Sequence, residues 1–267
     1  MVDVSSKAVA ARFESEREGE RVLVALGYHA LLLGSFALLC QGLLPPAAFM
    51  VLGLCAYLRN FNAIHEALHA PRAAKDSLGA LRQAAMIVHG PLQLGWRELS
   101  KNHHLHHAFS GDPVRDPDAD LNSGPWWRAA AASFLQPELA LFASVRRVGI
   151  RPALRGVLLY NLAVFAGLLA FAGADIVWWI AVTRMGSTAC WFIFDWALHQ
   201  PQVFGRPELP LPRPLQWLWI AMVSRDNLNG IRNHALHHRF PFVADRELPA
   251  LARFLAQADA AHAAAQA

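Results

Sequence analysis

Four apolar stretches, each closed by proline, glycine or a polar break, set the frame of this 267-residue chain. Val22 to Leu44 runs 23 residues without a charge. At 1.5 Å per helical residue that is about 35 Å, enough to cross a bilayer core. Pro45-Pro46 ends it and forces a tight turn. Ala47 to His69 is apolar at first and turns polar at Arg59, Asn60 and Asn62. Gly156 to Ala174 is a third run, without a charge, and Ile176 to His199 a fourth, which carries Arg184 and Asp195; they are joined around Gly173-Ala174-Asp175. The pattern predicts an all-α integral membrane protein with four transmembrane helices, about 22–44, 47–69, 156–174 and 176–199. It divides the chain into a polar N-terminal segment, 1–21, one membrane domain, 22–255, and an Ala-rich tail, 256–267, of no evident function.

The intervening segments are of other kinds. Residues 1–21 alternate glutamate with arginine, as in a short amphipathic helix on a membrane surface or a solvated tail. They lack the net positive charge and cleavage site of a secretory signal. Within residues 70–155, Ala84 to Leu94 is apolar but too short to span and is broken by Gly90-Pro91, which reads as an interfacial or re-entrant helix. Trp126-Trp127 suits an interface anchor.

Histidine supplies the candidate chemistry. His65-Glu66-Ala67-Leu68-His69 places two imidazoles at i and i+4. Asn102-His103-His104-Leu105-His106-His107 and Asn233-His234-Ala235-Leu236-His237-His238 each place three at i, i+3 and i+4. On a helix such positions share a face. Neutral imidazole is a good ligand for iron, copper, zinc or nickel, so meeting clusters could hold two ions. His199 closes the fourth apolar run, while His29, His89, His104 and His262 fall outside the pattern.

Composition narrows the alternatives. The chain is 55% hydrophobic and 16% charged, and its Cys40, Cys55 and Cys190 all lie in apolar runs, so neither a disulfide framework nor a zinc knuckle is expected. No basic run with interleaved aromatics suggests nucleic-acid binding. With hairpins made of spans one and two and of spans three and four, all nine patterned histidines fall on one side of the membrane. Of 24 Lys and Arg residues, 22 lie in segments 1–21, 70–155 and 200–267, on that same side. The positive-inside rule makes it cytoplasmic, in an inner membrane of bacterial type.

Taken together, the three boxes, His199, Gly95-Trp96-Arg97 ahead of the second box, Asp116-Pro117-Asp118 after it and Pro241 after the third resemble the membrane fatty-acid desaturases. Alkane hydroxylases and carotenoid ketolases are relatives of that family. The resemblance covers roughly residues 45–250. It implies a non-haem di-iron centre that activates O2 against an unactivated C–H bond of a lipid chain. The expected reaction is acyl desaturation, with hydroxylation or ketolation as the alternative. Carried over residue by residue, His65, His69, His103, His106, His107, His199, His234, His237 and His238 would be the ligands.

Metal-bound histidine usually gives its other N–H to an acceptor. Glu66, Asp112, Asp116, Asp118, Asp120, Asp195, Asn102 and Asn233 are candidates for such outer partners. Trp96 and Arg97 are candidate substrate contacts. So is Arg184, a cation inside the fourth span that could otherwise reach for the far interface. With no haem segment, flavin or nicotinamide fingerprint, or cysteine cluster in the chain, electrons are expected from a separate carrier such as a ferredoxin with its reductase. Two rivals stay open. His-Glu-x-x-His at 65–69 also fits an intramembrane zinc protease with Glu66 as general base. A histidine-rich sensor or transporter would not be an enzyme at all.

Overall fold

The computed structural model describes residues 5–71, 78–204, 206 and 208–266. Among them there is no strand. The helices are α1 (Ser6–Arg12), α2 (Glu18–Cys40), α3 (Pro46–His69), α4 (Gly79–Ala85), α5 (Trp96–Phe109), α6 (Ala119–Asn122), α7 (Trp126–Phe134), α8 (Gln136–Val148), α9 (Pro152–Ala172), α10 (Ile176–Trp191), α11 (Pro201–Phe204), α12 (Arg213–Met222), α13 (Arg225–Arg232), α14 (His234–Arg239) and α15 (Leu248–Gln266). Single 3-10 turns occupy Gly173–Asp175 and Asp245–Glu247, and α10 runs on into a π-helical turn at Phe192–Ala197.

Three helical stretches are long and apolar enough to cross a membrane: Glu18–Cys40, Pro46–His69 and the 46 residues Pro152–Ala197. The third stretch folds back on itself. A Cβ on Gly95 would lie 2.7 Å from Val157, and one on Gly90 would lie 4.0 Å from Nη2 of Arg184. In a straight helix the backbones of Val157 and Arg184 would be about 40 Å apart. Gly90 and Gly95 are separated by at most about 17 Å of extended chain. The reversal occurs at Gly173, whose φ of 55° and ψ of −122° suit a residue without a Cβ. Leu23, Leu31, Val51, Leu159, Leu162, Phe171 and Val177 all face outward. In water so much exposed apolar surface would drive association, whereas against lipid it is the solvent-facing side.

Helices α2, α3 and α10 share one core, built on Leu32, Phe36, Phe49, Tyr57, Trp179 and Val182. All three meet at Gly53, where a Cβ would sit 3.1 Å from Leu32 and 3.2 Å from Val182. The apolar run at 84–94 is not the helix that its hydropathy suggests. Helix α4 ends at Ala85, and 86–95 is irregular backbone threaded into the bundle. Irregular backbone at such depth needs partners inside the protein. Asn60 donates to the carbonyls of Ala25 and Ala85, both at 2.8 Å. Trp179 Nε1 donates to Val88 (3.0 Å), Asn161 to Gln93 (3.1 Å) and Gln93 itself to Ile87 (3.1 Å).

The two terminal segments pack on one another. Val9 and Phe13 share a buried cluster with Phe240, Val243, Leu248 and Leu251, and the rings of Phe13 and Phe254 lie 5.8 Å apart. Glu14 O accepts from Ala244 N at 2.9 Å. Buried Glu16 accepts from Arg21 at 2.6 Å and from Arg246 at 2.9 Å. The described part of segment 1–21 thus holds a short helix whose Val9, with Phe13 after it, packs on the C-terminal segment; residues 1–4 lie outside the described residues. Residues 256–266 of the Ala-rich tail are the last part of α15.

Candidate metal centre

The site is built where α3, α5, α14 and the end of α10 converge. Helix α5 starts at Gly95, where backbone packs against Val157, and carries His103, His106 and His107 in its last two turns. At 100° per residue, His103 and His107 point within about 40° of each other, and His106 diverges by about 100° from His107. Helix α14 repeats the arrangement, with His234 and His238 to one side and His237 to the other. The π turn ahead of His199 ends the membrane helix. There His199 Nδ1 donates to Phe194 O at 2.9 Å, which leaves Nε2 facing inward. Such π turns recur at functional sites.

The eight box histidines and His199 come together, and they sort into two groups. Ligand atoms of His65, His69, His107 and His237 lie within 4.8 Å of one another, as do those of His106, His199 and His238. His103 joins the first group, its Nε2 2.7 Å from His69 Nε2. His234 joins the second, its ring 4.9 Å from His199 and 4.7 Å from His238. The groups meet where His107 and His238 stack at 4.1 Å.

The residues fit metal ions on two grounds. Nitrogens bound opposite each other on one ion are roughly 4.2 Å apart, so either group matches a single ion. In addition His65 Nδ1, His107 Nδ1, His234 Nε2 and His237 Nε2 are buried without a hydrogen bond among the described residues. Native interiors rarely leave so many polar atoms unpaired in one place.

Charge is set for ligation. Burial, and then the neighbouring imidazoles, hold His103, His107, His234 and His238 well below the usual histidine range, so they are neutral. Burial and His106 lower His237 to about 4. His106 is the exception. Burial acts to lower it, but the hydrogen bond to Asp116 and the charges of Asp195, Asp118 and Asp116 raise it to about 9. Its Nδ1 donates to Asp116 Oδ1 at 3.1 Å and lies 3.9 Å from Asp118. Asp195 completes a buried cluster with His106 and Asp118. Asp116 is in turn fixed by the N–H groups of Gly111 (3.0 Å) and Asp118 (2.9 Å).

The other expected outer partners sit elsewhere. Glu66 accepts from Asn62 (3.1 Å) and pairs with Arg21 (3.0 Å), not with an imidazole. Asn102 accepts from Arg147, and Asn233 donates to Asn229 O. Asp112 caps its own turn with Arg115, and exposed Asp120 lies 3.7 Å from Arg128. Trp96 bonds Gln83 through its backbone, and Arg97 is exposed. Arg184 donates to Glu138 of α8 and to Phe134 O of α7. Sequence reasoning missed Asp245, whose Oδ1 lies 3.4 Å from His237 Nδ1. The available signal was a carboxylate seven residues after the third box.

A cavity of about 60 Å³ opens on the histidines and is closed by Phe61, Ile64, Leu68, Leu99, Trp191 and Phe194. A second, of about 70 Å³, shares Phe61, Ile64, Leu99 and Trp191 with it and extends toward Tyr57, His89 and Gln136.

The sequence matches the profile of the family described as Fatty acid desaturase over residues 41–267. No curated protein and no solved structure matches it. The matched stretch holds all nine converging histidines and most of the chain, and the protein belongs to the fatty acid desaturase family.

Proposed function

We propose that this membrane oxidoreductase is an O2-dependent di-iron enzyme that desaturates a lipid chain. The observation that carries the reading is the division of nine buried or half-buried histidines into two adjoining ligand groups beside an apolar cavity. His65, His69, His103, His107 and His237 would hold one iron, and His106, His199, His234 and His238 the other. Bound iron supplies O2 activation and the oxidising power that an unactivated C–H bond demands. The protein positions the chain: Phe61, Ile64, Leu99 and Trp191 exclude water, and Asp116 and Asp245 orient imidazoles. Hydroxylation or ketolation would use the same machinery on a differently placed carbon.

In this reading the chain crosses the bilayer four times. The reversal at Gly173–Asp175 supports it, as does the charge asymmetry that puts the histidines on the cytoplasmic face. A ferredoxin-like carrier with its reductase would deliver electrons there. The zinc-protease alternative is less well supported, because Glu66 is engaged by Arg21 and Asn62.

The test is expression of the chain in cells with and without carotenoid precursors, followed by mass spectrometry of lipids and pigments. Acyl chains lighter by two hydrogens are expected, with none in His106→Ala cells, and the purified protein should hold two irons. Added oxygen would move the assignment to a hydroxylase or ketolase. Unchanged pools and no iron would sink it.

A further inference from the structure

The cavity beyond the metal groups is apolar along its walls but not at its inner end. Tyr57 and His89 meet there, with Oη 2.6 Å from Nε2. His89 Nδ1 is buried and has no hydrogen-bond partner among the described residues. Gln136, the first residue of α8, also lines this end and is 7% exposed. Its amide makes no hydrogen bond among the described residues, unlike Asn60 and Gln93 beside it, which bond backbone. A neighbouring charge does not account for it, since the nearby Arg184 is already paired with Glu138.

We infer that the substrate is a lipid chain whose inner end bears a neutral oxygen, a hydroxyl or carbonyl, bound by the Gln136 amide and the Tyr57–His89 pair. The inference rests on the oxygenase reading and narrows its substrate class. A carboxylate or phosphate does not suit the site, because every side chain lining this end is uncharged or already neutralised. Eight residues of α3 separate Tyr57 from His65, about 12 Å along the axis. The reacting carbon therefore lies on the order of nine chain atoms from the oxygen.

The test uses the iron-loaded full chain in lipid nanodiscs, with 1-decanol and n-decane as probes and thermal unfolding as the readout of binding. The wild type is expected to bind decanol at least about tenfold more tightly than decane. Gln136→Leu should reduce that preference to under about twofold, keep decane binding and unfold at about the same temperature. Tyr57→Phe should weaken the preference in part. Equal binding of the two probes by the wild type, a preference that survives in Gln136→Leu, or no binding of either probe would overturn the inference. Iron content and O2 uptake of the same preparation report separately on the oxygenase reading.

Discussion

A carboxylate stands behind one imidazole in each metal group: Asp116 behind His106, Asp245 behind His237. Such partners fix the ring and raise its basicity, and removing one typically lowers metal affinity or activity 10- to 100-fold. Asp245→Asn should therefore weaken the His65 group and spare the His106 group, and Asp116→Asn should do the reverse. Mössbauer spectra of the iron-loaded variants would show one of two iron signals lost in each, and loss of the same signal in both would refute the division. At this scale the sequence was most informative about the histidines, because i, i+3 and i+4 spacing is local and helical geometry does the rest. It said little about Asp245, whose place depends on packing. A Cβ on Gly230 would lie 2.3 Å from the Asp245 carboxylate, so a distant glycine makes the room. Glu66 misled for the converse reason: adjacent to a ligand in sequence, it points off the ligand face toward Arg21.

Helices in this bundle are brought together by small residues. At Gly186 of α10 a Cβ would fall 2.2 Å from the ring of Tyr57 on α3. Tyr57 is fully packed and tied to His89, so it has little room to yield. Gly186→Ala should destabilise the protein by about 1–3 kcal/mol, as overpacking usually does. Thermal unfolding in detergent would register it as a lower midpoint, and an unchanged midpoint would mean that α3 and α10 are less tightly locked than the geometry implies. The three candidate spans were readable from long apolar runs. Segment 86–95 was not, since hydropathy reports where a segment sits and not whether its backbone finds partners. Here Asn60, Asn161 and Trp179, three polar groups inside apolar helices, supply them and remove the need for a helix.

Over the whole molecule, the N-terminal segment and α15 form a clasp behind the His65 group. Glu16 lies at its centre, bridging Arg21 and Arg246, and Arg246 directly follows Asp245. Loosening the clasp should therefore release metal from afar. Phe13→Ala, which empties the contact with Phe254, is expected to cost about 3–5 kcal/mol of local packing and to lower retention of the iron held by His237. Iron content after dialysis against a chelator, compared with the wild type, would measure it; equal retention would show that clasp and metal group are independent. Polar, charge-rich termini gave no hint of this in the sequence, because a few apolar residues such as Val9 and Phe13 carry the contact.

The first metal group joins residues about 170 positions apart, His65 to His237. At roughly 5–20 residues per second of synthesis, His65 and His69 wait on the order of ten to thirty seconds for their last partner. For that interval the nascent chain carries an open imidazole cluster that prefers zinc or copper to ferrous iron. The metal content of the finished protein should therefore follow what the compartment offers during synthesis, and metal analysis after expression in iron-rich and in zinc-rich medium would measure it.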